Sequence, residues 1–224
     1  PGQPGAEARL GTSGLVTGSP DGFAGHPAYD AIILAGGRGS RLGGVDKGAV
    51  RISGRTLLDR ALDAVGSAAR VVVVGDGPVP EGVLKAREEP AFGGPAAAVV
   101  AGLHALRMPS RAPRVLVLAC DVPGAAEGVG LLMAACAGEE GPSGSAVGRP
   151  EVDGWCLAEP DGRLQWLFGL YRVPALERAA EALGDPSDRS MGRLLGDLHL
   201  IAVPAPWRAT ADIDTPEDLQ RWTS

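Results

Sequence analysis

Arg38, Arg41, Asp46 and Lys47 lie within fifteen residues, LAGGRGSRLGGVDKG at 34–48, and share them with six glycines. Successive glycines let a main chain adopt positive φ and approach a ligand closely, so that several N–H groups converge on phosphate oxygens. Two arginines and a lysine add charge to such a cradle, arginine as a two-pronged clamp and lysine as a movable point charge. Neither G-x-x-x-x-G-K-[ST] nor a complete G-x-G-x-x-G is present, because Leu42 stands at the last glycine of the second pattern. The stretch reads as an anion-binding loop outside those two patterns, or as a flexible loop whose charges keep it solvated.

Two carboxylate groups extend this chemistry. Asp121 closes the apolar run RVLVLAC and precedes Val122, Pro123 and Gly124. A carboxylate there can hold Mg²⁺ that is itself bound to phosphate. It can equally cap the next helix, with Pro123 in the first turn. Glu88 and Glu89 precede the Gly93, Gly94, Pro95 turn. Either could accept hydrogen bonds from adjacent ring and exocyclic N–H groups, which guanine offers together on one edge, or belong to a solvated acidic turn.

These groups need a scaffold that brings them to one place. The runs AIILA, RVVVVG and RVLVLAC lack polar alternation, as expected of strands covered on both faces in a parallel sheet. TLLDRALDAVGSA, PAAAVVAGLHAL and GAAEGVGLLMAACA carry apolar residues at helical spacing between and after them. Strand and helix alternation predicts an α/β fold, a three-layer αβα sandwich around a mostly parallel sheet. In such sheets ligands bind beyond the carboxyl ends of the strands, where the glycine-rich stretch and Asp121 fall. The second half predicts a strand in GRLQWLFGLYRV, parallel or antiparallel, helices in PALERAAEAL and RSMGRLLGDL, a strand in LHLIAVPA, and a closing helix TPEDLQRW capped by Thr215.

Bulk properties narrow the class. Residues 1–28 hold seven glycines and four prolines with almost no apolar periodicity, and are expected to form a disordered leader before a single domain over 29–224. A formal net charge of -6 argues against a general binder of nucleic acid or anionic membrane. Cys120, Cys136 and Cys156 contain no C-x-x-C pair and read as reduced thiols in a cytoplasmic protein. His26, His104 and His199 form no Ser-His-Asp arrangement.

Together these segments resemble the molybdenum cofactor guanylyltransferases, whose L-A-G-G, Arg-[Met/Leu]-Gly-Gly and Asp-Lys-Gly elements follow in the order seen at 34–48. The likeness continues through GRTLLDRALDAV, GGPAAAVVAGL, LACDVP, FGLYR and DIDTPEDL, from about residue 30 to residue 222. It implies a Rossmann-like nucleotidyltransferase that moves GMP from GTP to the phosphate of molybdenum-bearing molybdopterin and releases pyrophosphate. In that reading Leu34, Ala35, Gly36 and Gly37 line the nucleotide, Arg41 meets the outer phosphates and Lys47 the α-phosphate. Gly75 contacts the nucleoside, Glu88 or Glu89 reads the base beside Gly94, and Asp121 binds Mg²⁺. Arg41, Lys47 and Asp121 form the implied catalytic set, and a downstream molybdoenzyme or chaperone is an implied partner. The chain has Asp212 and Asp214 where the family often has asparagines, and glutamate where its base-reading acid is more commonly aspartate. Cytidylyl transfer and a non-catalytic GTP-binding relative are the alternatives; Gly36 in LAGG favours guanylyl transfer, and Arg41, Lys47 and Asp121 together favour turnover. The flat pterin ring has candidate stacking partners in Trp155, Trp166 and Phe168 or none of them, since scarce aromatics usually anchor a core.

Overall fold

The computed structural model describes residues 27–36, 47–107, 112–140 and 151–223. The expected leader, except Pro27 and Ala28, and the loop residues Gly37, Arg38, Arg41 and Asp46 lie outside them.

Three apolar runs form the first strands of a sheet, β1 (Tyr29–Leu34), β4 (Val71–Val74) and β6 (Arg114–Ala119). Between β1 and β4 lie a 3-10 turn (Lys47–Ala49), a small hairpin of β2 (Arg51–Ile52) and β3 (Arg55–Thr56), and helix α1 (Leu57–Ala64). Strand β5 (Leu84–Ala86) and helix α2 (Gly94–Ala105) precede β6, and α3 (Ala125–Glu140) follows it. The second half adds β7 (Gly154–Ala158), β8 (Leu164–Arg172), α4 (Val173–Leu183), α5 (Met191–Leu195), β9 (Leu200–Pro204), α6 (Trp207–Thr210) and α7 (Pro216–Thr223).

The seven-stranded sheet runs β5-β4-β1-β6-β8-β7-β9. Only β8 opposes the other six strands, so the sheet is mostly parallel, with the antiparallel strand anticipated in GRLQWLFGLYRV. Successive side chains of a strand point to opposite faces. Tyr29, Ala31 and Ile33 therefore pack with α1 and α3, while Ile32 and Leu34 pack with α2, α4 and α5. All six residues of β1 are buried, which is why its sequence shows no polar alternation. Each such Ile or Leu contributes about 1.5–3 kcal/mol relative to exposure.

Local signals set several boundaries. Thr56 caps α1: its hydroxyl accepts the Asp59 N–H while Asp59 accepts the Thr56 N–H. Thr215 and Asp218 make the same reciprocal pair at α7, as the sequence predicts. Helix α5 covers only Met191–Leu195 of RSMGRLLGDL, because Ser190 caps it on one side and Gly196 ends it on the other. Strand β7 was absent from the sequence expectation; five buried residues between polar flanks carry too short a pattern to separate strand from loop.

Candidate functional site

Strand register builds the site. Leu34 pairs with both Val74 and Ala119, and Val74 pairs with Ala86. Four adjacent parallel strands therefore stop at one level. The residues that continue them, Ala35–Gly36, Gly75, Arg87–Glu88 and Cys120–Asp121, lie side by side along the carboxyl edge. Main-chain bonds lock this row: Ala35 donates to Val74 at 2.9 Å, Gly75 to Ala86 at 3.0 Å and Cys120 to Leu34 at 3.0 Å. From β1 the chain crosses to β4 on one side, and β6 takes the other side, so strand order reverses at β1. That reversal opens the crevice in which such sheets bind ligands.

Gly75 makes the row compact. A Cβ at this position would stand 2.9 Å from the carbonyl carbon and oxygen of Ala35, closer than side-chain carbons come. Glycine thus lets the end of β4 lie directly against Ala35 and Gly36 at the end of β1. Glu88 enters the same space. Its side chain is 9% exposed, Oε1 accepts the Phe92 N–H at 3.3 Å, and a Cβ on Gly36 would stand 3.9 Å from that oxygen. Glu89 is exposed and begins the cis Glu89–Pro90 peptide, so of the adjacent pair only Glu88 lines the crevice. Gly94 adopts φ +88 at the head of α2, and the neighbouring Gly93 carbonyl accepts the Asp188 N–H at 2.6 Å.

Asp121 follows β6 and is half-buried. The helix-cap alternative is corrected by the structure: α3 begins at Ala125, whose N–H bonds to the Val122 carbonyl, and Pro123 precedes the helix instead of occupying its first turn. Asp121 stands in the loop between strand and helix. Its carbonyl accepts the Ile213 N–H at 2.9 Å, and Ile213 packs against Ile52 and Leu57 beside the hairpin that follows Lys47. The C-terminal segment therefore joins the Lys47 turn to the Asp121 loop.

Among the described residues, no group of three or more His, Cys, Asp or Glu side chains is arranged to hold a metal ion. A single carboxylate such as Asp121 nonetheless fits magnesium, which keeps waters and takes much of its coordination from the phosphates of a bound substrate. The three cysteines are buried and none is part of a disulfide. Burial pushes the Cys136 thiol up and the Cys156 thiol up to about 12, so both are protonated core residues.

Sequence reasoning placed candidate stacking partners at Trp155, Trp166 and Phe168. Trp155 is fully buried and Phe168 is 2% exposed, both in the core under α3, while Trp166 packs partly into the opposite core. Trp207 and Trp222, which follow β9, stack with centroids 6.0 Å apart. They escaped notice because Trp207 opens a four-residue helix with no periodic pattern to mark it. Of the implied catalytic set, Arg41 lies outside the described residues and Lys47 begins the 3-10 turn.

The chain is similar to known proteins in sequence and in fold. The MobA-like NTP transferase domain profile matches residues 31–200. A molybdenum cofactor guanylyltransferase from Pseudomonas fluorescens (strain Pf0-1) is 31% identical over 202 residues, covering 86% of this chain and 92% of the relative. The crystal structure of molybdopterin-guanine dinucleotide biosynthesis protein A from Archaeoglobus fulgidus superposes with a TM-score of 0.61 at 19% identity, covering 87% of this chain and 96% of that one. A Mycobacterium tuberculosis H37Rv protein solved in complex with manganese superposes at 0.56 with 15% identity, covering 87% and 97%.

Proposed function

This chain belongs to the MobA-like NTP transferase family and is a nucleotidyltransferase, and on that premise we propose that it transfers GMP from GTP to Mo-molybdopterin in the cytoplasm. The observation that carries the reading is the juxtaposition of Glu88 with Gly36 and Gly75 at the level ends of β1, β4 and β5. An acceptor-only carboxylate in a narrow crevice suits the adjacent ring and exocyclic N–H donors of guanine, whereas cytosine offers only its amino group beside ring acceptors that the carboxylate cannot satisfy. Desolvation within the crevice strengthens that discrimination, since a base with one donor in place of two leaves the Glu88 carboxylate one hydrogen bond short.

Phosphoryl transfer of this kind needs positioning and charge neutralisation more than a protein nucleophile. Main-chain N–H groups of Gly36 and Gly37 would hold phosphate oxygens, with Ala35 lining the nucleotide, Arg41 on the outer phosphates and Lys47 at the α-phosphate. Asp121 would hold a divalent ion, Mg²⁺ in this reading, which neutralises charge on the leaving pyrophosphate. The known manganese complex of a structural neighbour supports divalent-metal use in proteins of this fold.

Calorimetric titration of GTP and CTP, with and without Mg²⁺, tests the assignment. GTP is expected to bind more tightly than CTP, and only with Mg²⁺ at full strength. Equal affinities, or a preference for CTP, would overturn guanylyl transfer.

A further inference from the structure

The turn between β5 and α2 carries a bulky side chain where its backbone calls for none. Gly93 donates its N–H to the Pro90 carbonyl at 3.1 Å, which closes a four-residue turn over Pro90, Ala91, Phe92 and Gly93. Phe92, the third residue of that turn, has φ +64. Positive φ there selects glycine or asparagine, because a Cβ crowds the following carbonyl oxygen. The other non-glycine residues with positive φ among those described are Ser53, in the β2–β3 hairpin turn, and Asp188, both short and polar. An aromatic ring in this conformation is the exception.

Burial does not hold the ring in place. Phe92 is 47% exposed, more than any other large apolar residue described. Folding alone would favour glycine at position 92. Strain that packing does not offset marks a residue with another use.

The left-handed conformation directs the Phe92 N–H to Oε1 of Glu88 at 3.3 Å. No other hydrogen bond holds this nine-tenths buried carboxylate among the described residues, so Oε2 and the second lone pair of Oε1 remain for a ligand. A glycine at position 92 would make the same main-chain bond. What phenylalanine adds is a flat apolar face beside the carboxylate. A base whose edge is hydrogen-bonded to Glu88 turns its own face to whatever flanks that carboxylate, and aromatic rings stack on bases of every kind.

We propose that Phe92 is a base-binding residue, its ring stacked on the purine whose N–H donors Glu88 accepts. The proposal rests on the nucleotidyl-transfer reading and divides the roles within it. The carboxylate discriminates among bases by their donors, and the ring adds affinity for the base plane without discriminating by edge.

Calorimetric titration of the full chain, in Mg²⁺, with GTP, inosine triphosphate (ITP) and tripolyphosphate separates these roles. ITP keeps the purine plane and lacks the exocyclic amino donor, and tripolyphosphate has no base. Phe92→Gly removes the ring and keeps the left-handed backbone with its N–H, so it should weaken GTP and ITP by the same factor, about tenfold. Its preference for GTP over ITP and its affinity for tripolyphosphate should match wild type, and its urea midpoint should equal or exceed that of wild type. Phe92→Trp should retain GTP affinity. Unchanged GTP affinity in Phe92→Gly would overturn the proposal. So would a loss shared by tripolyphosphate, or one that also removes the preference for GTP over ITP, since either shows the residue acting only by shaping the turn around Glu88. A wild type that binds GTP no more tightly than tripolyphosphate would instead contradict the guanylyl reading on which the proposal rests.

Discussion

Ile213 donates its main-chain N–H to the carbonyl oxygen of Asp121 at 2.9 Å, while its fully buried side chain packs against Ile52 and Leu57. One residue thus ties the loop after β6 to the hairpin that follows Lys47. Two parts of the site that lie 74 positions apart along the chain, Lys47 and Asp121, are held by a third segment near the C-terminus.

Truncating that tie should cost stability and alignment together. Ile213→Ala is expected to destabilise the fold by about 2–5 kcal/mol, and Ile213→Val by about 0.5–1.5 kcal/mol. Urea unfolding measures both. Equal midpoints for wild type and Ile213→Ala would contradict the packing described for this cluster.

The adjacent glutamates should separate cleanly. Glu88→Gln replaces one acceptor of the buried carboxylate with a donor and should lower GTP affinity by about 1.5–3 kcal/mol, the range for a hydrogen bond to a charged group. Exposed Glu89→Gln should leave GTP affinity within about 0.5 kcal/mol of wild type. Titration of both variants with GTP decides between the two side chains.

Gly75→Ala should act on the nucleotide more than on the fold. The added methyl must displace the Ala35 carbonyl group, which lies 2.9 Å from its position. Overpacking of this kind costs about 1–3 kcal/mol. A loss of GTP affinity with native circular dichroism is the expected result, measured alongside thermal unfolding.

Acid should loosen both capped helices. Hydrogen bonds from Thr56 hold the Asp59 carboxyl below the usual carboxylate range, and those from Thr215 do the same for Asp218. A carboxylate whose folded pKa is depressed contributes stability above its unfolded value of about 3.9, and loses it as pH falls through the folded value. Asp59→Asn should therefore be destabilising at pH 7, and the difference from wild type should shrink as pH falls through the depressed folded pKa of Asp59. Thr56→Ala should cost about 1 kcal/mol at neutral pH. Urea midpoints across pH 2–7 give both comparisons.

Much of this was legible in the sequence for reasons that the structure makes physical. AIIL and VLVL are unbroken because β1 and β6 are buried on both faces, so the residues just beyond them had to lie at one edge of the sheet. The choice between Glu88 and Glu89 was not legible. It depends on the turn after β5, a three-residue edge strand whose mostly exposed pattern leaves no hydropathic trace. The alternatives for Asp121 stayed open because Pro123 marks a helix start equally well at several offsets, and α3 begins two residues beyond it. The Trp207–Trp222 pair arises from two short helices meeting across fourteen residues of intervening chain, a contact with no local signature.

Label transfer tests the central claim most directly. The protein is incubated with Mg²⁺, Mo-molybdopterin and either GTP or CTP labelled at the α-phosphate, and the labelled pterin product and pyrophosphate are counted. Label is expected to pass from GTP to the pterin with one pyrophosphate released per transfer, and from CTP at least about a hundredfold more slowly. Absence of transfer from GTP, or equal transfer from CTP, would contradict the account.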